Sequence, residues 1–314
     1  MVQKISKINK FKKSFTLLEV SIVLAVLAIL ASSVVSGAHL INTARSNAII
    51  QEINNYRQAI NEFYSSHEYN LPGDYYRAQE ELAPSGYTTS SLTTISTIQS
   101  KSTIDRIPIS GDGDGAILSQ IIGSETTIFY SEAFGVWSHL SKTGYMDKNY
   151  SNTCYNIRSQ ARSECLKAGY NLPIIKNGRD NAVYTFYKPN ISNSADLNLL
   201  GVTRDDFDFN SHILLMSDIT EGSISTTNIG SYAIGAGGAI SAQLMRNIDI
   251  KIDDGMPLKG NVFGVNGNRL EDKCSNYTGS NSSFYSSTLT KDTTIYNKDN
   301  DKYCIGVIVI NEFR

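Results

Sequence analysis

KKSFTLLEVSIVLAVLAIL, residues 12–30, places two lysines and a short polar step in front of an apolar run that contains one carboxylate, Glu19. The run extends from Phe15 to about Ala38, roughly 24 residues, and at about 1.5 Å of rise per residue a helix of that length crosses the hydrocarbon core of a bilayer. A secretory signal has a shorter apolar region. The stretch therefore predicts a single-pass membrane anchor, with a glutamate where membrane segments rarely carry one.

Charge is distributed unevenly along the chain. The first 14 residues contain five lysines and no acidic residue, whereas the whole chain of 314 residues has a net charge of −2. Without those five of its 28 Lys and Arg, 23 face 30 Asp and Glu, a net charge of −7. The positive-inside rule then predicts a cytoplasmic leader and an exported body. Because the body is acidic, it has no basic field to hold nucleic acid, and a nucleic-acid partner is not expected.

The helix is predicted to continue beyond the membrane span. Apolar residues recur at alternating spacings of four and three, and charged residues lie off this stripe. The stripe consists of Ile49, Ile53, Tyr56, Ile60 and Phe63. A turn signal at 69–74, YNLPGD, ends a helix that we expect from Phe15 to Ser66. The stripe lacks the charge ladder of a free coiled coil, which favours packing under a globular head over a dedicated partner site.

The rest of the chain predicts a head with strands and short helices, and hence an α+β fold. Residues 131–146, SEAFGVWSHLSKTGYM, predict a helix with Phe134, Trp137 and Leu140 on one face. A second short helix is expected at Ile240–Ile248. Apolar runs predict strands at Ala182–Tyr187, Ile213–Met216, Tyr232–Ile234 and Cys304–Ile310.

These features divide the chain into four predicted parts. They are a basic leader at 1–14, the transmembrane half of the helix at 15–40, its amphipathic half at 41–66 and a globular head at 67–314. The expected arrangement is a long N-terminal helix whose outer half packs on a head with an antiparallel sheet.

The four cysteines fall as two pairs, Cys154 with Cys165 and Cys274 with Cys304. None forms a CxxC motif, and no histidine lies at ligand spacing from them, which disfavours a zinc site. In an exported region the even count predicts two local disulfides, closing loops of 11 and 30 residues. The alternative is four buried thiols.

Two acidic loops are candidates for metal binding or for turns. Gly111–Gly115, GDGDG, is oxygen-rich and suits calcium, so Asp112 and Asp114 are candidate ligands, although the loop fails the EF-hand register. Asp253–Gly255 is predicted to be a turn. The chain contains neither G-x-S-x-G nor HExxH, and its four histidines are scattered, so no catalytic activity and no cofactor other than this calcium are predicted.

The junction at 12–20, KKSFTLLEV, resembles the prepilin N-terminal motif: a basic leader, a small residue, then Phe-Thr-Leu-Leu-Glu. The resemblance implies that prepilin peptidase cuts between Ser14 and Phe15 and N-methylates Phe15. Glu19 then matches the fifth residue of the mature family. Ser14 stands where the family has glycine. Four segments of the body, YNLPGDYYRA, GDGDGAI, SEAFGVWSHLSKTGYM and IDIKIDDGMPLKGNV, are similar to successive segments of a pseudopilin-like family.

The resemblance also explains why a glutamate stands inside the apolar zone. Glu19 lies four residues from Phe15, about 6 Å along a helix, and a lone carboxylate at membrane depth costs a few kcal/mol. Cleavage creates an α-amino group on Phe15 that is mostly protonated at neutral pH. In a staggered bundle of identical helices, this amine of one subunit meets Glu19 of its neighbour. The alternative is a tolerated interfacial glutamate.

The resemblance implies a pilin-like structural subunit in the inner membrane with a periplasmic head, assembled into a type II secretion pseudopilus or a type IV pilus. The implied partners are prepilin peptidase, the assembly platform with its cytoplasmic ATPase, and other pilin-like subunits. A second hypothesis is a minor-pilin tip that binds a substrate or a surface. A third is an uncleaved single-pass protein whose periplasmic head has an unrecognised activity.

Overall fold

The computed structural model describes residues 16–83, 108–118, 131–152, 166–189, 211–219, 237–267, 273–276, 294–299 and 301–310. The chain divides into two compact units, 1–44 and 45–314. The first contributes an apolar helical segment, and the second is a head that combines helices with an antiparallel sheet. The predicted α+β class is confirmed.

Helix α1 spans Leu17–Ser66 and belongs to both units. Within the first unit its window Leu17–Val34 is fully exposed, and its side chains are almost all apolar. Among the described residues this is the one helix long and apolar enough to cross a membrane, by length and composition. An apolar surface of this extent is unstable in water, so the segment fits a single-pass membrane anchor.

The far end of α1 is set by two residues that adopt left-handed backbone conformations. Glu68 has φ 55° and Tyr69 has φ 60°, a region that interrupts a right-handed helix. The amide of Tyr69 donates to the carbonyl of Tyr64, which caps the last turn. The predicted turn at 69–74 thus begins with Tyr69, a non-glycine residue in the left-handed region.

Within the second unit, α1 packs its predicted stripe into the core of the head. Four of the five stripe residues are almost completely buried, namely Ile49, Ile53, Ile60 and Phe63. The fifth, Tyr56, is half-buried and makes edge contacts with the rings of Trp137 and Tyr184, at centroid distances of 5.2 and 5.0 Å. The stripe is therefore core packing rather than an open partner surface.

Polar contacts in the first two turns of this stretch hold α1 against the head. The hydroxyl of Tyr184 donates to Glu52 Oε2 at 2.9 Å, and Lys176 lies 3.4 Å from Glu52 Oε1. At the start of the unit, Lys251 Nζ donates to Ser46 Oγ at 2.8 Å and to Asn47 Oδ1 at 2.7 Å. These contacts specify the register in which the helix lies on the head.

The remaining described elements follow in chain order. They are α2 (Ala78–Glu81), α3 (Glu132–Lys142), β1 (Ala182–Tyr187), β2 (His212–Asp218), β3 (Gly237–Gly238), β4 (Ile240–Ser241), α4 (Ala242–Ile252), β5 (Val262–Asn266) and β6 (Tyr303–Ile310). In the described part of the chain these strands form one six-stranded antiparallel sheet with the path β1-β2-β6-β4, in which β3 joins β2 and β5 joins β6. Strands β1 and β2 are buried along their whole length.

Three of the predicted strands and the first predicted head helix are confirmed, with ends shifted by a few residues. The predicted strand Tyr232–Ile234 lies outside the described residues. The prediction of one helix over Ile240–Ile248 is wrong at its start, because Ile240 pairs with Cys304 in the sheet. Ser241 then serves as the N-cap of α4 and accepts from the amide of Leu244 at 3.3 Å.

The sequence does not predict β5, whose Gly264 weakens its strand pattern. A β-carbon at Gly264 would lie 2.3 Å from the Tyr296 ring and 2.9 Å from Cys274 Sγ. The glycine therefore makes room for an aromatic ring and a disulfide against the sheet. This tertiary requirement is invisible in the local sequence.

The predicted disulfide between Cys274 and Cys304 is present, and it joins the segment 273–276 to strand β6 across a sequence separation of 30. In the chain-entropy picture a loop of that length is worth about 3–4 kcal/mol to the folded state. Cys154 and Cys165 lie outside the described residues, so the second predicted disulfide stays a prediction.

Candidate functional site

The residues at the predicted cleavage point are Ser14 and Phe15, and both lie outside the described part of the chain. Thr16 is the first described residue, and Glu19 lies in the first turn of α1. Glu19 is exposed, and its Oε2 atom accepts from the Thr16 amide at 2.9 Å and from the Thr16 hydroxyl at 3.1 Å. The amide of Glu19 in turn donates to Thr16 Oγ1 at 3.2 Å.

In the head, the LPGD turn, the GDGDG loop and the start of α3 converge on one cluster. Asp74, from the LPGD turn, is buried, and its two carboxylate oxygens accept from the amides of Gly113 at 2.7 Å and Gly115 at 2.8 Å. From the start of α3, Glu132 accepts from the amide of Leu118 at 2.8 Å. Asp74 thus binds the backbone of the GDGDG loop, and Glu132 binds the backbone just after that loop. We call the three carboxylates Asp74, Asp112 and Glu132 the acidic clamp.

His139, on α3, joins the same segments from the buried side. The amide of Gly73 donates to His139 Nδ1 at 2.9 Å, which fixes the other ring nitrogen, Nε2, as the protonated one. Nε2 therefore donates to the Ile109 carbonyl at 3.0 Å. Burial lowers the pKa of His139 to about 4, so the ring is neutral at physiological pH. His139 is a structural bridge rather than a catalytic base.

Two glycines allow the backbones of the acidic clamp to cross closely. Gly73 has φ 95°, and a β-carbon there would lie 2.5 Å from the Glu132 carbonyl. A β-carbon at Gly111 would lie 2.4 Å from the α-carbon of Asp74. Other residues at these positions would push the LPGD turn away from α3 and from the GDGDG loop.

The acidic clamp also has the donor set of a hard cation. Each of Asp74, Asp112 and Glu132 offers one carboxylate oxygen within 4.8 Å of the other two. Oxygen ligands suit calcium, which takes six to eight of them, so backbone groups or water would have to supply at least half. The other predicted calcium ligand, Asp114, is not in this group. Its Oδ1 accepts from the amide of Ala116 at 2.7 Å and turns the loop.

The crowding of carboxylates changes their protonation. Burial raises the pKa of Glu132 to about 7, and the neighbouring Asp74, Asp112 and Asp114 add to the increase. Burial also raises the pKa of Asp74, against the opposing effect of the hydrogen bonds from Gly115 and Gly113. Desolvated carboxylates close to one another hold protons more tightly than they would in water.

We expect the head to become less stable as the pH rises from about 6.5 to about 8. The ordinary pKa of Glu132 is 4.5 and its folded value is about 7, so the folded protein keeps a proton that the unfolded chain has lost. The stabilisation from this proton is complete below pH 4.5, the ordinary pKa of Glu132, and disappears as the pH rises through about 7, its pKa in the folded protein. Screening by solvent limits it to about 1 kcal/mol, or about 2–4 °C in melting temperature.

The test is calorimetry of the full chain at several pH values. The buried His139 and His212, both with pKa lowered to about 4, oppose this trend until the pH is well above 6.5, the ordinary histidine pKa, whereas Asp249, whose pKa burial raises to about 7, adds to it. The contribution of Glu132 is therefore read from the difference between wild type and a Glu132 variant from pH 6.5 to 8. Glu132→Gln should flatten the pH dependence there, whereas Glu80→Gln, at an exposed position of α2, should not. An unchanged slope in Glu132→Gln would contradict the prediction.

A second acidic group lies at the end of α4. Asp249, Asp253 and Asp254 also offer carboxylate oxygens within 4.8 Å of one another. The Tyr296 hydroxyl donates to buried Asp249 at 2.7 Å, and the amide of Gly255 donates to its other oxygen at 3.1 Å. Where a turn was predicted, at 253–255, the backbone bends at Asp253 and Gly255, and Gly255 has φ 77°. Tyr296 thereby ties this turn to the disulfide-linked segment.

Sequence reasoning missed three residues of these sites. Asp74 and Glu132 stand in segments treated as a turn and as a helix, and only their shared approach to the GDGDG loop gives them a common role. Thr16 had a local signal, because Thr-x-x-Glu at a helix start is the capping-box pattern. The cluster therefore includes one predicted calcium ligand, Asp112, and two residues that were not predicted.

Comparison with known proteins gives one match. The model for the prokaryotic N-terminal methylation motif matches residues 9–35, the stretch that contains the Thr16–Glu19 contacts and most of the exposed apolar helix. No curated protein and no solved structure matches the chain. The motif belongs to a structural class of proteins rather than to an enzyme class. Residues 9–35 are similar to the prepilin-type signature of pilin and pseudopilin proteins.

Proposed function

We propose that this chain is a pilin-type subunit that is cleaved between Ser14 and Phe15, N-methylated on Phe15 and assembled through α1 into a filament. The observation that carries the proposal is the match of the methylation motif at 9–35 in register with a fully exposed apolar helix window, Leu17–Val34. A helix that leaves so much apolar surface uncovered needs lipid before assembly and neighbouring helices after it.

Before assembly, the proposed topology is a single membrane pass. The leader, 1–14, stays in the cytoplasm because it carries five lysines and no acid. Residues 15–40 cross the membrane, residues 41–66 continue the helix, and the head, 67–314, lies in the periplasm. The disulfide between Cys274 and Cys304 supports this location, because such bonds persist in oxidising compartments.

In the filament, Glu19 of each subunit accepts the Phe15 α-amino group of a neighbour, and the heads form the outer surface. The proposed partners are prepilin peptidase, an assembly platform with its cytoplasmic ATPase, and other pilin-like subunits. A type II secretion pseudopilus and a type IV pilus share this assembly step, and the proposal covers both. The exposure of Glu19 supports it, because the carboxylate is open to a second molecule.

N-terminal mass spectrometry of the membrane-extracted protein tests the proposal. In cells with prepilin peptidase we expect the first peptide to begin at methyl-Phe15. In cells without it, the leader should remain. Ser14→Gly is the matched variant, because it places glycine before the cut, and it should be cleaved at least as completely. An intact leader on the wild-type chain in the presence of the peptidase would contradict the proposal.

A further inference from the structure

We propose that the end of α4 is a membrane-docking surface: before assembly, Ile250 and Ile252 enter the interfacial layer of the bilayer that holds the anchor. The inference rests on the single-pass topology of the proposed function and adds a lipid partner for the head. We call this surface, formed by Ile250, Lys251 and Ile252, the α4 end face. Its support is the place where the exposed apolar side chains of the head lie.

Exposed aliphatic side chains of the head gather around the α4 end face. In the described part of the second unit, the large aliphatic side chains that are exposed are Ile174, Ile250, Ile252 and Ile295. Ile250 and Ile252 stand in the last turn of α4. Ile295 directly precedes Tyr296, whose hydroxyl donates to Asp249 at the start of that turn. Single exposed isoleucines are common, but three around one turn indicate a contact surface.

The α4 end face is held at the start of the second unit. Lys251 Nζ donates to Ser46 Oγ at 2.8 Å and to Asn47 Oδ1 at 2.7 Å. Leu40 ends the proposed membrane segment, and six positions separate it from Ser46. Six residues of chain reach about 9 Å as a helix and at most about 22 Å when fully extended. Chain length alone therefore keeps Ser46 near the bilayer surface.

The polar layer of the bilayer has a matching thickness. The hydrocarbon core is about 30 Å thick within a bilayer of about 40–45 Å, which leaves about 5–8 Å of polar layer on each side. The helical stretch from Leu40 to Ser46 spans about this layer. Arg45 is exposed beside Ser46, where its guanidinium can pair with a lipid phosphate. The contacts of Lys251 then bring the α4 end face to the level of the headgroups.

The anchor makes a weak contact sufficient. Ile250 and Ile252 are 48% and 37% exposed, so together they offer less apolar surface than one whole isoleucine side chain. A surface of that size does not hold a free protein on a membrane. Because the anchor already keeps Ser46 within reach of the bilayer, docking is an intramolecular step with a high effective concentration.

Charges of both signs border the α4 end face and decide which lipid it needs. Arg45 and Lys251 are cationic, whereas Asp253 and Asp254 directly follow Ile252. A surface of mixed charge does not depend on attraction to anionic lipid. We therefore expect docking on zwitterionic phosphatidylcholine, through apolar contact with the interface.

Photocrosslinking tests the inference on the full-length chain. The probe is a phosphatidylcholine vesicle with a small fraction of a lipid that carries a diazirine at the upper end of its acyl chain. Mass spectrometry after illumination maps the lipid adducts. We expect adducts on the anchor and on residues 246–256, and about fivefold fewer on residues 69–77. Tyr69 and Tyr76 in that control segment are more exposed, at 73% and 50%, but they follow the far end of α1.

Serine variants show whether the isoleucines cause the contact. Ile250→Ser combined with Ile252→Ser should lower the adducts on residues 246–256 about fivefold and leave those on the anchor unchanged. Tyr69→Ser is the matched control at an exposed position, and its adducts should equal those of wild type. The melting temperatures of both variants in detergent verify that the head is folded.

The adduct pattern also separates this inference from the proposed function, because the vesicles contain no peptidase and the uncleaved chain is used. Adducts on the anchor without adducts on residues 246–256 would overturn the docking surface and leave the single-pass topology intact. A chain without adducts on the anchor would overturn both. Unchanged adducts in the double serine variant would overturn the role of Ile250 and Ile252.

Discussion

Glu19→Ala is expected to enter the membrane and to be cleaved like wild type, but to appear in filaments at no more than about a tenth of the wild-type level. A charge pair at membrane depth is worth a few kcal/mol, and a loss of 1.4 kcal/mol already lowers an equilibrium tenfold. The variant loses the acceptor for the neighbour's α-amino group and also the acceptor for the Thr16 amide. Quantification of sheared filaments against total membrane protein measures the effect.

Glu19→Gln separates these two losses. Glutamine also serves in a capping box, so its side-chain oxygen can still accept from the Thr16 amide, but it carries no charge. If the ion pair with a neighbour drives assembly, Glu19→Gln should fail nearly as completely as Glu19→Ala. Assembly of Glu19→Gln at the wild-type level would reject the ion pair and leave capping as the function of Glu19.

The largest expected loss of stability is that of Trp137→Ala in the head. Trp137 is completely buried on α3, with its ring edge-on to Tyr56 of α1 at 5.2 Å. Truncation of a buried tryptophan costs about 3–5 kcal/mol, because it removes apolar contacts and leaves a cavity. We expect the melting temperature of the full chain in detergent to fall by about 10 °C. Calorimetry is the suitable measurement, because Trp137 is the single tryptophan and its replacement removes the tryptophan fluorescence that would otherwise report unfolding.

Two further variants define the cause of this loss. Trp137 Nε1 is buried and has no hydrogen-bond partner among the described residues, so Trp137→Phe removes no hydrogen bond seen there and should cost much less than Trp137→Ala. Ile295→Ala shortens an apolar side chain that is 58% exposed and should change the melting temperature little. A loss in Trp137→Phe as large as that in Trp137→Ala would show that ring packing is not the main contribution.

Much of the fold follows from local sequence patterns. The apolar residues that recur in α1 at alternating spacings of four and three positions identify its buried face, because the period of a helix brings residues at these spacings to one side. The run AVYTFY predicts β1 at Ala182–Tyr187, since β-branched and aromatic residues suit a buried strand. Strand β5 could not be predicted, because Gly264 is required by the Tyr296 ring that packs against it from a distant segment.

The sequence by itself determined the apolar anchor segment and the prepilin-type signature, because these depend on residues adjacent in the chain and on the length of one apolar run. It also predicts the direction of insertion, from the lysines of the leader. The Thr16–Glu19 cap belongs to the same local category, since its partners are three residues apart. Only the tertiary structure decided the composition of the acidic clamp. Asp74 meets the amides of Gly113 and Gly115 across about 40 positions of chain, and contacts at that separation depend on how the whole head packs.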